Sequence, residues 1–127
     1  MDTERLSRPP VAIGHVWLRV TELVQATQYF VTLGLRLIHQ AQAIAVLELR
    51  GGTHLVLQPA QEPIPPGMQV PFDLMVDDIV ATRQHYEALG LKPSALASGM
   101  VHRSFTLSGP DGYAITVTSS HTGGRVV

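Results

Sequence analysis

The feature that most constrains this chain is an internal repeat with a period of 56 residues. Val20-Thr21-Glu22-Leu23 returns as Val76-Asp77-Asp78-Ile79, and Leu33-Gly34-Leu35-Arg36 returns as Leu89-Gly90-Leu91-Lys92. Each copy predicts a strand, then a helix with a polar residue at its start, and then a glycine that ends the helix. A chain of 127 residues holds this period only twice. We therefore expect one domain built from two similar halves.

Hydrophobic periodicity predicts the same element order, βαβββ, in both halves. The first half predicts elements at residues 14–20, 23–33, 35–40, 44–50 and 53–58, with a tight hairpin at Gly51-Gly52. The second predicts them at 70–76, 79–89, shortly after Gly90, 101–108 and 113–118. Between the halves lies PAQEPIPPG, whose four prolines and one glycine predict a stiff connector. The predicted layout is a single domain at 13–119, with module one at 13–58, a linker at 59–69, module two at 70–119, and flexible termini at 1–12 and 120–127.

Composition and charge argue against several classes of partner. The formal net charge is -1 and the nine basic residues are scattered, so neither nucleic acid nor an anionic membrane is an expected partner. There are no cysteines, which excludes disulfides, thiolate metal ligands and a cysteine nucleophile. No apolar run approaches the roughly 18 residues of a membrane span. We expect a soluble protein of the reducing cytoplasm.

Strand alternation divides the sheet residues into an apolar face, expected to pack beneath the helices, and a polar face. Because unpaired buried polar groups are costly, water or a ligand is expected on the polar face. Trp17 is the only tryptophan, and it offers a flat surface for stacking an aromatic or cationic ligand; packing in the core or at a dimer interface is the alternative. The candidate ligand-binding residues are His15, Trp17, Arg19, Glu48, His54, Asp73, His102 and Thr116.

The motifs and their order resemble the vicinal oxygen chelate superfamily, which includes glyoxalase I, bleomycin-resistance proteins and extradiol dioxygenases. The resemblance covers residues 13–119. Its pieces are the segments 15–20, 76–79 and 108–113 and the two Leu-Gly-Leu helix ends. It implies an α+β fold in which two βαβββ modules form an open, cupped mixed β-sheet barrel, with the helices outside and the ligand inside the cup. It also implies a homodimer, since partners in this family often complete each other's sites.

Metal enzymes of this family take their ligands from four inward positions. The residues at those positions here are His15, Val56, Pro71 and Thr116. A zinc, nickel or iron ion normally needs three or four nitrogen, oxygen or sulfur side-chain ligands, so this set is incomplete and neither a metal nor another cofactor is expected. Arg19 matches the position at which glyoxalase I holds the glutathione carboxylate. An internal salt bridge from Arg19 to Glu48 or Asp73 is the alternative.

The resemblance is strongest to the metal-free bleomycin-resistance branch. The predicted function is therefore sequestration of a small aromatic or amphipathic ligand in the cup without metal catalysis, and enzymatic activity is not expected. One alternative is a metal-dependent lyase or dioxygenase with ligands displaced to His15, His54 and His102. Another is a regulatory or scaffolding subunit with a vestigial cup. Bound metal, ligand-induced thermal stabilisation and copurification with a partner would distinguish the three.

Overall fold

The computed structural model describes residues 6–127, in which one set of elements occurs twice. The first module contains β1 (His15–Val20), α1 (Leu23–Leu33), β2 (Arg36–Gln40), β3 (Ala45–Glu48) and β4 (His54–Pro59). The second contains β5 (Leu74–Val76), α2 (Ile79–Ala88), β6 (Ala97–Ser98), β7 (Arg103–Ser108) and β8 (Ala114–Ser119). Both modules have the predicted order βαβββ. Residues 1–5 of the predicted N-terminal arm lie outside the described residues.

Each module forms one four-stranded mixed sheet, and the strand order is the same in both. The orders are β1-β4-β3-β2 and β5-β8-β7-β6. In each sheet the first strand runs parallel to the last, and the remaining neighbours are antiparallel. The sheets form an open cup and do not close into a barrel. The predicted α+β class and the cupped architecture are confirmed.

The first helix follows its local sequence signals closely. α1 begins after Glu22 and ends at Gly34, which has φ 118° and so uses the left-handed conformation that glycine tolerates best. Ala26, Phe30 and Leu33 lie along its buried stripe. Glu22 makes no side-chain cap bond to α1, whereas α2 is capped by the carboxylate of its preceding aspartate.

One hydrophobic core runs through both modules. It is built from the strand faces that alternation predicts to be apolar, and its strand residues include Leu18, Leu47, Leu55, Leu57, Leu74, Phe105, Leu107, Ile115 and Val117. Packing is tight beside the Gly-Pro-Asp-Gly turn, where a Cβ on Gly109 would approach Cδ1 of Ile115 to 2.6 Å. Only glycine fits at that position without displacing the core.

The second module differs from prediction at the starts of two strands. β5 begins at Leu74 and not at residue 70, because Pro71 has no N–H to donate to a ladder. The preceding chain is held instead by the Val70 N–H, which donates to the Ala114 carbonyl at 3.1 Å. β7 begins at Arg103, two residues later than predicted. The segment after Gly90 forms only the two-residue β6.

Two tyrosine hydroxyls of the second module donate hydrogen bonds to the first. The hydroxyl of Tyr86, on α2, donates to the carbonyl of Leu33 at the end of α1, at 2.6 Å in a buried position. The hydroxyl of Tyr113 donates to the carbonyl of Arg19 on β1 at 2.8 Å. These contacts join the second module to the end of α1 and to β1.

The turns before β4 and β8 occupy equivalent places in the repeat. Gly51 in the first has φ 82°, and Asp111 in the second has φ 56°. The first turn is a short 3-10 segment and not the predicted tight hairpin. The Asp111 carboxylate accepts hydrogen bonds from the N–H of Thr21 at 2.9 Å and from its hydroxyl. An exposed ion pair, Arg50 to Asp77 at 3.0 Å, makes the equivalent contact at the other junction.

Candidate functional site

The strand register places four polar side chains in one row across the first sheet. His15 on β1 lies opposite His54 on β4, His54 lies opposite Glu48 on β3, and Glu48 lies opposite Arg36 on β2. Directly opposite residues of a sheet share one face, so the row lies on the face away from the helices. The apolar faces of the same strands are buried in the core.

Glu48 is the centre of this row. The guanidinium of Arg36 donates to Oε1 of Glu48, and Oε2 lies 3.1 Å from Nε2 of His54. These hydrogen bonds, first from Arg36 and then from His54, hold the pKa of the Glu48 carboxyl below its ordinary value. The ionised carboxylate therefore fixes the orientation of the His54 ring. The ring of His15 lies 5.7 Å from that of His54, between centroids.

Trp17 provides the apolar surface of the same face. Its side chain is 55% exposed, and its ring lies 6.0 Å from the ring of His15 at an angle of 38°. Across the sheet it lies opposite Val56, which in turn lies opposite Val46. The second row is thus apolar, and an aromatic group could stack there beside the imidazoles.

Arg19 lies at the end of β1, where the linker leaves β4. Its guanidinium donates to the carbonyl of Pro59 at 3.2 Å. Among residues 6–127 Arg19 forms no ion pair with Glu48 or Asp73, so the alternative of an internal salt bridge is not observed. A cavity of about 370 Å³ opens beside it. The residues lining this cavity are Arg19, Ala60, Gln61, Glu62 and Ile64.

The remaining predicted site residues lie elsewhere. Thr116 lies on β8 of the second sheet, where its hydroxyl accepts a hydrogen bond from Nε2 of Gln69 at 3.3 Å. Asp73 is exposed and precedes β5. His102 is exposed and precedes β7, and its ring stacks on that of His121 at 4.2 Å. The structure thus brings five of the eight candidates together on the first sheet.

The residues at the family's four metal positions do not fit a divalent metal. Val56 is aliphatic and only 3% exposed, and Pro71 has no side-chain donor. Thr116 offers one hydroxyl, which is already hydrogen-bonded, so His15 is the one strong ligand of the set. Across residues 6–127, no group of three His, Cys, Asp or Glu side chains is placed where it could hold a metal ion.

Two charged residues of the site were not identified from the sequence. Arg36 could have been found from its place on a predicted strand, but its partnership with Glu48 depends on the register between β2 and β3, which shifts at a bulge between Leu37 and His39. Glu62 lies in the linker, where no periodicity indicates which way a side chain points. Its place in the cavity beside Arg19 follows only from the path of the folded chain.

Comparison with known proteins relates the chain to others by structure. No protein-family model and no curated sequence matches it. It is similar to lactoylglutathione lyase from Agrobacterium tumefaciens (TM-score 0.73, 20% identity, 90% of this chain and 97% of the other). It is also similar to TnmS3, an antibiotic binding protein from Streptomyces sp. CB03234 (TM-score 0.74, 21% identity, covering 89% of this chain and 98% of the other). A glyoxalase/bleomycin resistance protein/dioxygenase superfamily member from Sphaerobacter thermophilus DSM 20745 matches as well (TM-score 0.72, 16% identity, 87% and 98%). The chain has the vicinal oxygen chelate fold.

The vicinal oxygen chelate fold confirms the resemblance seen in the sequence at the level of architecture. At these identities the similarity concerns the fold, which is shared here by a lyase and an antibiotic binding protein. Function must therefore be argued from the side chains of this chain. Within residues 6–127 we find no helix long and apolar enough to cross a bilayer.

Proposed function

We propose that this chain is a small-molecule binding protein that holds an aromatic or amphipathic ligand on the polar face of the first sheet, without metal catalysis. The observation that carries the proposal is the half-exposed Trp17 among polar side chains. A large aromatic ring that stays exposed on a sheet face, next to a row of polar side chains, is a surface for stacking. Arg19 and the His15–His54 pair would supply the hydrogen bonds that orient the ligand.

The chemistry of the donor set supports binding without metal chemistry. Lyase or dioxygenase activity by the family's route needs a metal centre. One imidazole, one hydroxyl, a valine and a proline do not supply one. His54, which the displaced-ligand alternative would use, already has its Nε2 on Glu48. The fold itself accommodates a pure binder, since TnmS3 is an antibiotic binding protein.

We further propose that the protein works as a cytoplasmic homodimer. Trp17 on the first sheet and Met75 on the second are 55% and 49% exposed, and both project away from the helices. A second copy could cover these apolar side chains and complete the cup. Sedimentation equilibrium should then give twice the 13.8 kDa of one chain. A monomer at all concentrations up to about 100 µM would contradict the dimer, since specific interfaces bind well below that level.

The ligand-binding proposal can be tested by thermal-shift screening of an aromatic compound library. Hits are then titrated while the fluorescence of Trp17, the sole tryptophan, is recorded. Trp17→Ala should weaken the binding of a hit about 10-fold or more. Because this variant has lost the tryptophan fluorophore, its affinity is measured by thermal shift. The control is Val24→Ala on α1, which truncates a similarly exposed apolar side chain outside the sheet face. Equal affinity in the wild type and Trp17→Ala would refute the assignment of this face.

Metal content separates the proposal from the enzyme alternative. Protein purified without a tag or chelators should contain far less than one equivalent of any transition metal by mass spectrometry. His15→Ala is the control, because His15 is the one strong ligand at the family's metal positions. Near-stoichiometric metal that His15→Ala abolishes would overturn the metal-free binding proposal.

A further inference from the structure

The cavity beside Arg19 carries one charge of each sign. Its volume is about 370 Å³, and its charged lining residues are Arg19 and Glu62. A cavity of this size can hold the polar end of a small ligand. Its walls come from the end of β1 and from the linker, so it continues the polar face of the first sheet beyond Trp17.

The two charges do not neutralise each other. The guanidinium of Arg19 hydrogen-bonds to the carbonyl of Pro59, and within the described part of the chain Glu62 forms no ion pair. A cation and an anion that line one cavity without bridging it can each receive the opposite charge of a ligand. Both charged side chains are exposed, so a singly charged ligand makes one charge-assisted contact where a ligand with both charges makes two.

We infer that this cavity receives an ammonium–carboxylate zwitterion, so that the ligand is an aromatic compound with an amino-acid-like end. The inference rests on the proposed function, because the aromatic part would stack on Trp17. Trp17 and Arg19 lie two residues apart on one face of β1, about 7 Å along the strand. One aromatic amino acid spans that distance. The ligand carboxylate would bind Arg19, the ligand ammonium would bind Glu62, and the amide of Gln61 could bind either group.

Three probes with the same phenyl group test the inference: L-phenylalanine, 3-phenylpropionate, which lacks the ammonium, and phenethylamine, which lacks the carboxylate. Binding is followed through the fluorescence of Trp17, since a phenyl group does not interfere with tryptophan emission. L-phenylalanine should bind about 5-fold more tightly than either singly charged probe, which is the upper end of the effect of one exposed charge-assisted contact.

Two variants test which side chain binds which charged group of the probes. Glu62→Gln should weaken the binding of L-phenylalanine about 5-fold and leave the affinity for 3-phenylpropionate unchanged. Arg19→Gln should also weaken the binding of L-phenylalanine, but it should leave the affinity for phenethylamine unchanged. Glu22→Gln removes an exposed carboxylate outside the cavity and controls for the change in net charge. Thermal unfolding of each variant checks that the fold is retained.

The outcomes separate this inference from the proposed function. If binding of the phenyl probes depends on Trp17 but Glu62→Gln does not change their affinity, the aromatic site is supported and the zwitterion inference is overturned. If 3-phenylpropionate binds as tightly as L-phenylalanine, or if none of the three probes binds, the inference is also overturned. The proposed function itself depends on the library screen and falls only if no aromatic compound binds at Trp17.

Discussion

Removing the Tyr86 hydroxyl should weaken the coupling between the two modules. In the folded chain this hydroxyl donates to the Leu33 carbonyl at 2.6 Å in a buried position. Tyr86→Phe deletes the donor and leaves a carbonyl at the end of α1 without it. A buried hydrogen bond contributes about 1 kcal/mol, and an unsatisfied buried partner costs about 1–3 kcal/mol. We therefore expect the free energy of unfolding to fall by about 1–2 kcal/mol and Tm to fall by about 4–8 °C.

Tyr29→Phe is the matched control for this prediction. The hydroxyl of Tyr29 is also buried, but it has no hydrogen-bond partner among the described residues. Removing an unsatisfied buried polar atom should leave stability unchanged or raise it by up to about 1 kcal/mol. The same chemical change, a lost tyrosine hydroxyl, should thus destabilise the protein at Tyr86 and not at Tyr29.

Urea unfolding measures both variants with two probes. Far-UV circular dichroism reports on the whole chain, and the fluorescence of Trp17 reports on the first module. If the shared core makes unfolding cooperative, Tyr86→Phe in the second module should shift both transitions equally with no change in the m-value. A midpoint equal to that of the wild type, or an equal loss in Tyr29→Phe, would refute the reasoning from the hydrogen bonds.

Three further predictions concern packing and pH. Gly109→Ala should cost about 1–3 kcal/mol in urea unfolding, because the new Cβ meets Ile115, whereas Gly14→Ala has open space and should cost under about 1 kcal/mol. Glu48→Gln should be less stable than the wild type above about pH 4.5, and this difference should vanish as the pH falls through the lowered pKa of Glu48. A difference in stability that does not change with pH would contradict the role of the Glu48 ion pairs. Burial raises the pKa of Tyr29 to about 12, so stability should fall as pH rises above 10, where the unfolded chain loses tyrosine protons first; a flat alkaline profile in urea titrations would contradict this.

The first module could be predicted closely because its signals are local. Helix α1 ends at Gly34, as the glycine and the repeat indicate, and the alternation in β1 correctly separates the buried Leu18 and Val20 from the exposed Trp17. These features depend on neighbours a few residues away. Periodicity and the preference of glycine for positive φ are sufficient to place them.

The second module and the polar row could be predicted only in part because they depend on distant partners. The length of β5 depends on how many of its residues can pair with β8. Pro71 cannot donate a ladder hydrogen bond, so the paired segment is shorter than predicted. The Arg36–Glu48–His54 row depends on the register between three strands and on a bulge in β2. Neither can be predicted from the sequence of a single strand. The candidate His102 lies outside the sheet, because β7 begins at Arg103 and not at residue 101 as predicted.

The contacts around the end of β1 fix the backbone of the proposed ligand site. The Arg19 carbonyl is held by Tyr113 and the Thr21 N–H by Asp111, both from the other module. The backbone that carries the Arg19 guanidinium therefore loses little freedom on binding, and that entropic cost is already met by folding. The opposite junction relies on an exposed ion pair, which salt screens. We therefore expect added salt to weaken the far junction more than the junction beside Arg19.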